Sequence, residues 1–161
     1  MKPKNKKAFT MLELVFILVI LGILAAIAIP KISASRDDAK LVALKSDIST
    51  LKSSFPAYFL SQGQGTFSDA ITLSESNWNL GDYTISTKLE ASSGGSCISA
   101  ELLSNSNGTQ ASSPTQVRFL EISAADTPDA NGDTCQKLLY QINLTSATPL
   151  IIPLLSNSIV F

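Results

Sequence analysis

The sequence contains no histidine among its 161 residues. This absence excludes Ser-His-Asp and Cys-His nucleophilic systems and every metal site that needs an imidazole ligand. There are only two cysteines, too few to complete a structural zinc site. With no clustered acids that suggest catalysis either, we predict that the chain is not an enzyme. We expect no cofactor, apart from the calcium ion considered below.

The two cysteines, Cys97 and Cys135, both follow the apolar N-terminal segment. In an oxidising compartment they are expected to form one disulfide. In the chain-entropy model, closing the loop from Cys97 to Cys135 would add about 4 kcal/mol to the stability of the fold, less any strain. The alternative is a pair of buried free thiols.

Charged residues are scarce, at 16% of the chain, and their distribution is uneven. The first eight residues, MKPKNKKA, carry four lysines and no acid. Without those lysines, eight Lys and Arg stand against thirteen Asp and Glu, a net charge of −5. A basic leader before a mildly acidic body gives no sign of direct nucleic-acid binding.

Three interpretations compete for residues 1–30. A cleaved secretory signal would end near Ala26 and Ala28, but the apolar run of 16 residues from Leu14 to Ile29 exceeds the usual length of such a core. An ordinary membrane anchor and a prepilin-type segment both fit the length, because Phe9 to Pro30 would span about 33 Å as a helix.

Glu13 distinguishes the last two interpretations. A plain anchor gains nothing from an intramembrane carboxylate, which needs a cationic partner. No basic residue lies between Phe9 and Pro30. A cut between Ala8 and Phe9 would create such a partner, the new α-ammonium of Phe9, on this chain or on a neighbouring copy.

The segment KKAFTMLELVFILVILGILAAIAIP resembles the signal of type IV pilins and type II secretion pseudopilins. The resemblance implies a leader at residues 1–8, removed by a prepilin peptidase before Phe9, whose new amine is methylated. It places Glu13 at the fifth mature position and Pro30 at the 22nd. Ala8 departs from the family's usual glycine but is still small.

The family resemblance also implies partners and a location. We expect homologous filament subunits, an inner-membrane assembly platform and the lipid bilayer as partners, and a single inner-membrane span with the C-terminal head in the periplasm. Pairing of Glu13 with a neighbour's amine would offset the cost of a buried carboxylate and fix the register of the subunits. Gly22 and Pro30 are expected to matter for assembly, as a close-packing position and a soft point in the helix.

Residues 9–30 are therefore predicted to form a transmembrane or filament-core helix and residues 31–62 its amphipathic continuation. Apolar residues recur there at helical spacing: Leu41, Leu44, Ile48, Leu51, Phe55 and Phe59. Pro56 is expected to end or bend the helix near Phe55, with glycines at 63 and 65 closing it. The charged group Lys31, Arg36, Asp37, Asp38 and Lys40 is either a solvated helix surface or a contact between neighbouring subunits.

Residues 63–161 are predicted to form a β-rich periplasmic head. Strands are expected near residues 83–89, after the Gly-Gly turn at 94–95, at 117–123 and at 137–144, the last two as an antiparallel pair, with the tail as an edge strand or docked segment. The predicted fold class is α+β, a long N-terminal helix packed on a small antiparallel sheet, as the pilin resemblance also implies.

One head motif could hold a hard cation. Asp126, Asp129, Asn131 and Asp133 alternate oxygen ligands around a glycine, as calcium loops do, and some pseudopilins are stabilised by calcium. The alternative is a polar turn, because Asn131-Gly132 is a strong hairpin-turn signal.

Two functions follow from these features. The first is a structural subunit of a type IV filament: a pseudopilin of type II secretion, a minor pilin, or a component of a DNA-uptake (competence) pilus. The second is a membrane-anchored periplasmic binding module that is not incorporated in a filament.

Overall fold

The computed structural model describes the backbone of residues 10–155 and the side chains of residues 10–26 and 36–155. The chain divides into two units, Met1–Ala39 and Lys40–Phe161. Helix α1 (Met11–Gln62) supplies the first unit and the beginning of the second. The second unit also contains the sheet and the remaining helices.

Helix α1 is 52 residues long. At its start, the Thr10 hydroxyl accepts a hydrogen bond from the backbone N–H of Glu13 at 3.3 Å, which satisfies one of the amides that a helix N-terminus leaves unpaired. At its end, Gly63 has a φ of 72° and its N–H donates to the Phe59 carbonyl at 2.8 Å. That left-handed backbone, which glycine adopts without strain, terminates the helix as predicted.

A five-stranded antiparallel sheet follows α1, with the strands side by side in chain order. The strands are β1 (Trp78–Asn79), β2 (Thr84–Thr87), β3 (Ile98–Leu103), β4 (Phe119–Ala124) and β5 (Leu150–Pro153). Helix α2 (Phe67–Ala70) precedes β1, a 3₁₀ turn (Pro114–Gln116) precedes β4, and helix α3 (Thr134–Ile142) lies between β4 and β5. The predicted α+β architecture is confirmed.

The core of the second unit forms where α1 packs on the sheet. All six residues of the predicted apolar stripe, Leu41, Leu44, Ile48, Leu51, Phe55 and Phe59, are buried in one cluster with residues of β2, β3, β4 and α3. These six residues face the core together because residues three and four apart lie on one side of a helix.

Pro56 does not end α1, which runs on to Gln62. Proline in a helix interior costs about 3 kcal/mol because it lacks the N–H and crowds the preceding turn. Phe55 and Phe59, on either side of it, are fully buried, and the Phe55 ring lies 5.2 Å from that of Phe67. Burying a large apolar side chain contributes about 1.5–3 kcal/mol, so two of them outweigh the proline.

The prediction of a strand at 137–144 is wrong, because these residues belong mostly to α3. Cys135, Leu138 and Leu139 are its buried residues, a helical spacing rather than a strand alternation. The predicted pairing of this segment with 117–123 is wrong as well. Strand β4 instead lies between β3 and β5, and β5 is the predicted edge strand.

Candidate functional site

Glu13 lies in the first turn of α1 with its side chain exposed. A carboxylate in this position is favoured by the positive end of the helix dipole. The predicted cleavage site, Ala8 and Phe9, lies outside the described residues, as does the amine that cleavage would create.

The side chains on both sides of Glu13 in the first half of α1 form an apolar surface around the whole helix. Twelve large hydrophobic residues between Met11 and Leu24 are each 40–84% exposed. They are Met11, Leu12, Leu14, Val15, Phe16, Ile17, Leu18, Val19, Ile20, Leu21, Ile23 and Leu24. A helix that is hydrophobic on all sides belongs in a buried environment, which this segment does not provide for itself.

Gly22 and Pro30 were both predicted to matter for assembly. No atom lies within 4 Å of the position that a Cβ on Gly22 would take. Pro30 lies inside α1, where the backbone remains helical. The roles assigned to both stay predictions.

Across the described residues, none of the helices combines the length and the apolar character that crossing a bilayer requires.

Four members of the predicted charged group are described with their side chains, and all four are exposed: Arg36, Asp37, Asp38 and Lys40. The side chain of Lys31 lies outside the described residues. Exposure fits both predicted interpretations, a solvated surface and a contact with another subunit.

In the second unit, the loop at 91–95 is tied to the acidic loop at 125–133. The Asp126 carboxylate accepts from the backbone N–H of Ser92 at 3.2 Å, and the Ser92 hydroxyl donates to the Asp133 carboxylate. The Ser93 hydroxyl donates to the Ala125 carbonyl at 3.0 Å. The two loops thus hold each other through short polar contacts.

Asp133 is the N-cap of α3. Its carboxylate accepts from the backbone N–H of Gln136 at 2.8 Å, and the Gln136 side chain accepts from the backbone N–H of Asp133, completing a capping box. The Ser92 hydroxyl and then the Gln136 backbone amide stabilise the charged form, and the pKa of the Asp133 carboxyl is lowered from 3.8.

The structure brings only part of the predicted calcium set together. Asp126 and Asp133 meet at Ser92, whereas the Asp129 carboxylate accepts from the backbone N–H of Asn131 at 2.8 Å within the turn. Within the described part of the chain, no three His, Cys, Asp or Glu residues are grouped as metal ligands would be. Calcium binding stays a prediction, made for a loop whose carboxylates already serve as turn and cap acceptors.

The predicted disulfide is present. Cys97 at the entry to β3 bonds to Cys135 in the first turn of α3, and both are fully buried. The bond fastens the N-terminus of α3 to the sheet directly beside the two linked loops.

The predictions from sequence missed the contact between Asp47 and Trp78. The indole Nε1–H of the buried Trp78 donates to the Asp47 carboxylate at 2.8 Å, joining α1 to β1. A single tryptophan in the head and an acid between the buried Leu44 and Ile48 were the available signals, but sequence spacing does not reveal a contact across 31 residues.

Comparisons with known proteins give one family model and two curated relatives. Residues 3–29 match the family model for a prokaryotic N-terminal methylation motif. Type II secretion system core protein G of Pseudomonas aeruginosa is 35% identical over 60 residues, 37% of this chain and 42% of that protein. The protein of the same name from Klebsiella michiganensis gives the same identity and coverage.

The chain spans less than half the length of these curated relatives. No solved structure matches it. Both relatives carry the name of a secretion-system core protein and not that of an enzyme, which agrees with the prediction of a non-enzymatic chain.

Proposed function

We propose that this chain, whose N-terminal segment belongs to the type IV pilin and pseudopilin family, is a structural subunit of a type II secretion filament. The likeness to core protein G favours a pseudopilus over a type IV pilus. The predicted alternative of a DNA-uptake pilus finds no support in these relatives.

The exposed apolar surface of α1 carries the proposal. Removing apolar surface from water contributes roughly 25 cal/mol per Å², so twelve exposed large side chains represent a strong drive toward burial. In a filament the first halves of many α1 helices would pack against each other and bury one another's apolar surfaces. Before assembly, the same segment would be held in the inner membrane.

Glu13 would set the axial register between neighbouring subunits of the filament. Cleavage between Ala8 and Phe9 and methylation of Phe9 would leave a cationic amine at the start of α1. Packing Glu13 against the amine of an adjacent subunit would compensate the carboxylate and disfavour other axial shifts. The competing arrangement is a pair between Glu13 and the amine of its own chain.

The remaining proposed partners process the chain and add it to the filament. A prepilin peptidase would process the leader, an inner-membrane assembly platform would add the subunit to the filament, and the head would lie in the periplasm. The Cys97–Cys135 disulfide supports that placement, because such bonds persist in an oxidising compartment.

Mass spectrometry of the mature chain tests the processing. We expect a species that begins with N-methylated Phe9 in cells with an active prepilin peptidase. A species that begins at Ile29, or an intact leader in those cells, overturns the proposal and favours a tethered binding module.

Recovery of sheared filaments tests the carboxylate. We expect Glu13→Gln to leave the amount of membrane-associated chain unchanged but to reduce filament recovery at least about tenfold, since removal of one partner of a buried ion pair costs several kcal/mol. Glu75→Gln, the same change at an exposed head position, is the matched control and is expected to assemble normally. Normal recovery from Glu13→Gln would remove the role assigned to this residue.

A further inference from the structure

We propose that Pro149 and Pro153 close the outer edge of β5, the side away from β4, to strand addition, so that copies of this chain do not join their sheets there. Among the described residues, β5 pairs with β4 on one side and with no strand on the other. The inference concerns the head alone and goes beyond the proposed function, since it holds whether or not the chain forms a filament.

The composition of β5 makes its outer edge a liability. Unpaired N–H and C=O groups along an apolar edge strand can pair with a strand of another chain. β5 has the sequence LIIP, and Ile151 within it is 39% exposed. At the opposite edge of the sheet, β1 has only two residues, Trp78 and Asn79, and offers little backbone to pair. The risk of sheet extension therefore lies at β5.

The hydrogen bonds of β5 fix which of its backbone groups face outward. The N–H of Leu154, directly after β5, donates to the carbonyl of Arg118, directly before β4, at 2.9 Å. In the same ladder Ile152 stands opposite Leu120. The N–H and C=O of successive residues in a strand point to alternate sides. The even-numbered residues from 150 to 154 therefore direct their backbone groups toward β4, and the odd-numbered residues from 149 to 153 direct theirs outward.

Both prolines occupy outward positions. Pro149 immediately precedes β5, Pro153 is its last residue, and both are exposed. Because proline has no backbone N–H, an incoming strand would find a donor only at Ile151 among the three outward residues. Its own carbonyls opposite the two prolines would be left without a partner, which is costly once they are buried. The prolines thus block pairing at the outer edge without removing a hydrogen bond to β4.

Cross-linking of the full-length chain in detergent solution tests the closed edge. Two outer edges that paired antiparallel around Ile151 would place the two copies of this residue directly opposite, with their Cα atoms about 5.5 Å apart. The described cysteines are all engaged in the disulfide, so Ile151→Cys supplies the reactive thiol. A short thiol cross-linker then reports pairing at this edge.

Replacing the prolines should open the edge. Pro149→Thr together with Pro153→Thr restores both outward N–H groups and adds residues that favour strands. In the Ile151→Cys background, this double variant is expected to give at least about threefold more cross-linked dimer than the parent. Pro114→Thr with Pro128→Thr is the matched control, because these prolines lie in the 3₁₀ turn and in the loop before α3. Its dimer yield should stay near that of the parent.

Hydrogen exchange of the unaltered chain, resolved by residue, supplies a second test. The amide of Ile151 is expected to exchange at least about tenfold faster than the amide of Ile152, because only the latter is directed toward β4. This measurement needs no proline variant, so it decides the question even if the double variant does not fold.

Two results would overturn the inference. One is a double proline variant that unfolds in urea like the parent, by Trp78 fluorescence, and yet gives no more dimer than the parent. The other is an Ile151 amide as slow to exchange as that of Ile152. Increased dimer from the double proline variant alone, with a rapidly exchanging Ile151 amide, supports the closed edge.

Discussion

The hydrogen bond between Trp78 and Asp47 should contribute measurably to the stability of the head. Trp78 is 1% exposed, and its indole N–H donates to a carboxylate at 2.8 Å. A hydrogen bond to a charged group contributes about 1.5–3 kcal/mol. Alanine is about 0.5 kcal/mol better than aspartate in a helix, which offsets part of the loss. Asp47→Ala is therefore expected to lower the free energy of unfolding by about 1–2.5 kcal/mol.

The Asn variant separates charge from geometry. Asparagine keeps an oxygen acceptor at the same place and has nearly the same helix propensity as aspartate. Asp47→Asn should therefore lose less than about 1 kcal/mol. The smaller loss would identify the hydrogen bond itself, and not the helix backbone, as the source of the Asp47→Ala effect.

Urea unfolding of the full-length chain in detergent solution is the assay. The chain has one tryptophan, so fluorescence reports the environment of Trp78 alone. A double-mutant cycle with Trp78→Phe, followed by far-ultraviolet circular dichroism, isolates the pair from the packing of the ring. We expect a coupling free energy of about 1.5–3 kcal/mol; a value below about 0.5 kcal/mol would refute the stabilising role.

Four further predictions concern the linked loops and the disulfide beside them. Replacing Cys97 and Cys135 together by alanine should lower the free energy of unfolding by about 4 kcal/mol, read from thermal unfolding, and an unchanged melting temperature contradicts this. Asp133→Ala should cost about 1 kcal/mol through loss of the α3 cap. The pKa of Asp133 is lowered from 3.8 in the folded chain, so its charged carboxylate stabilises the fold above pH 3.8. This contribution should be lost as the pH falls below 3.8. The stability of Asp133→Asn should not show this pH dependence. If the 126–133 loop binds calcium, millimolar calcium should raise the melting temperature, and a midpoint unmoved by chelator excludes binding.

At α3 two features of the sequence favoured different structures: the apolar residues of 137–144 suggested a strand, and the capping residues before them marked the start of a helix. KLLYQINL contains two β-forming residues, Tyr140 and Ile142, and we predicted a strand there. The capping box of Asp133 and Gln136 was present in the sequence and marks a helix start. From the sequence we instead assigned Asp133 to the candidate calcium loop. Burial of Cys135, Leu138 and Leu139 on one side then makes the helix the stable choice.

The sequence alone determined the features that depend on neighbouring residues or on composition. The family motif, the apolar surface around Glu13 and the buried stripe of α1 follow from order and period along one chain, because a helix places residues three and four apart on one side. The absence of histidine likewise excluded histidine-dependent nucleophilic catalysis and imidazole metal sites from composition alone.

Only the tertiary structure decided which distant residues meet. The bond from Trp78 to Asp47, the contacts of Ser92 with Asp126 and Asp133, and the position of β4 between β3 and β5 join segments far apart in the chain. Their pairing depends on how the sheet and helices pack, since the energies of burial and hydrogen bonding are shared among many residues and no local spacing encodes them.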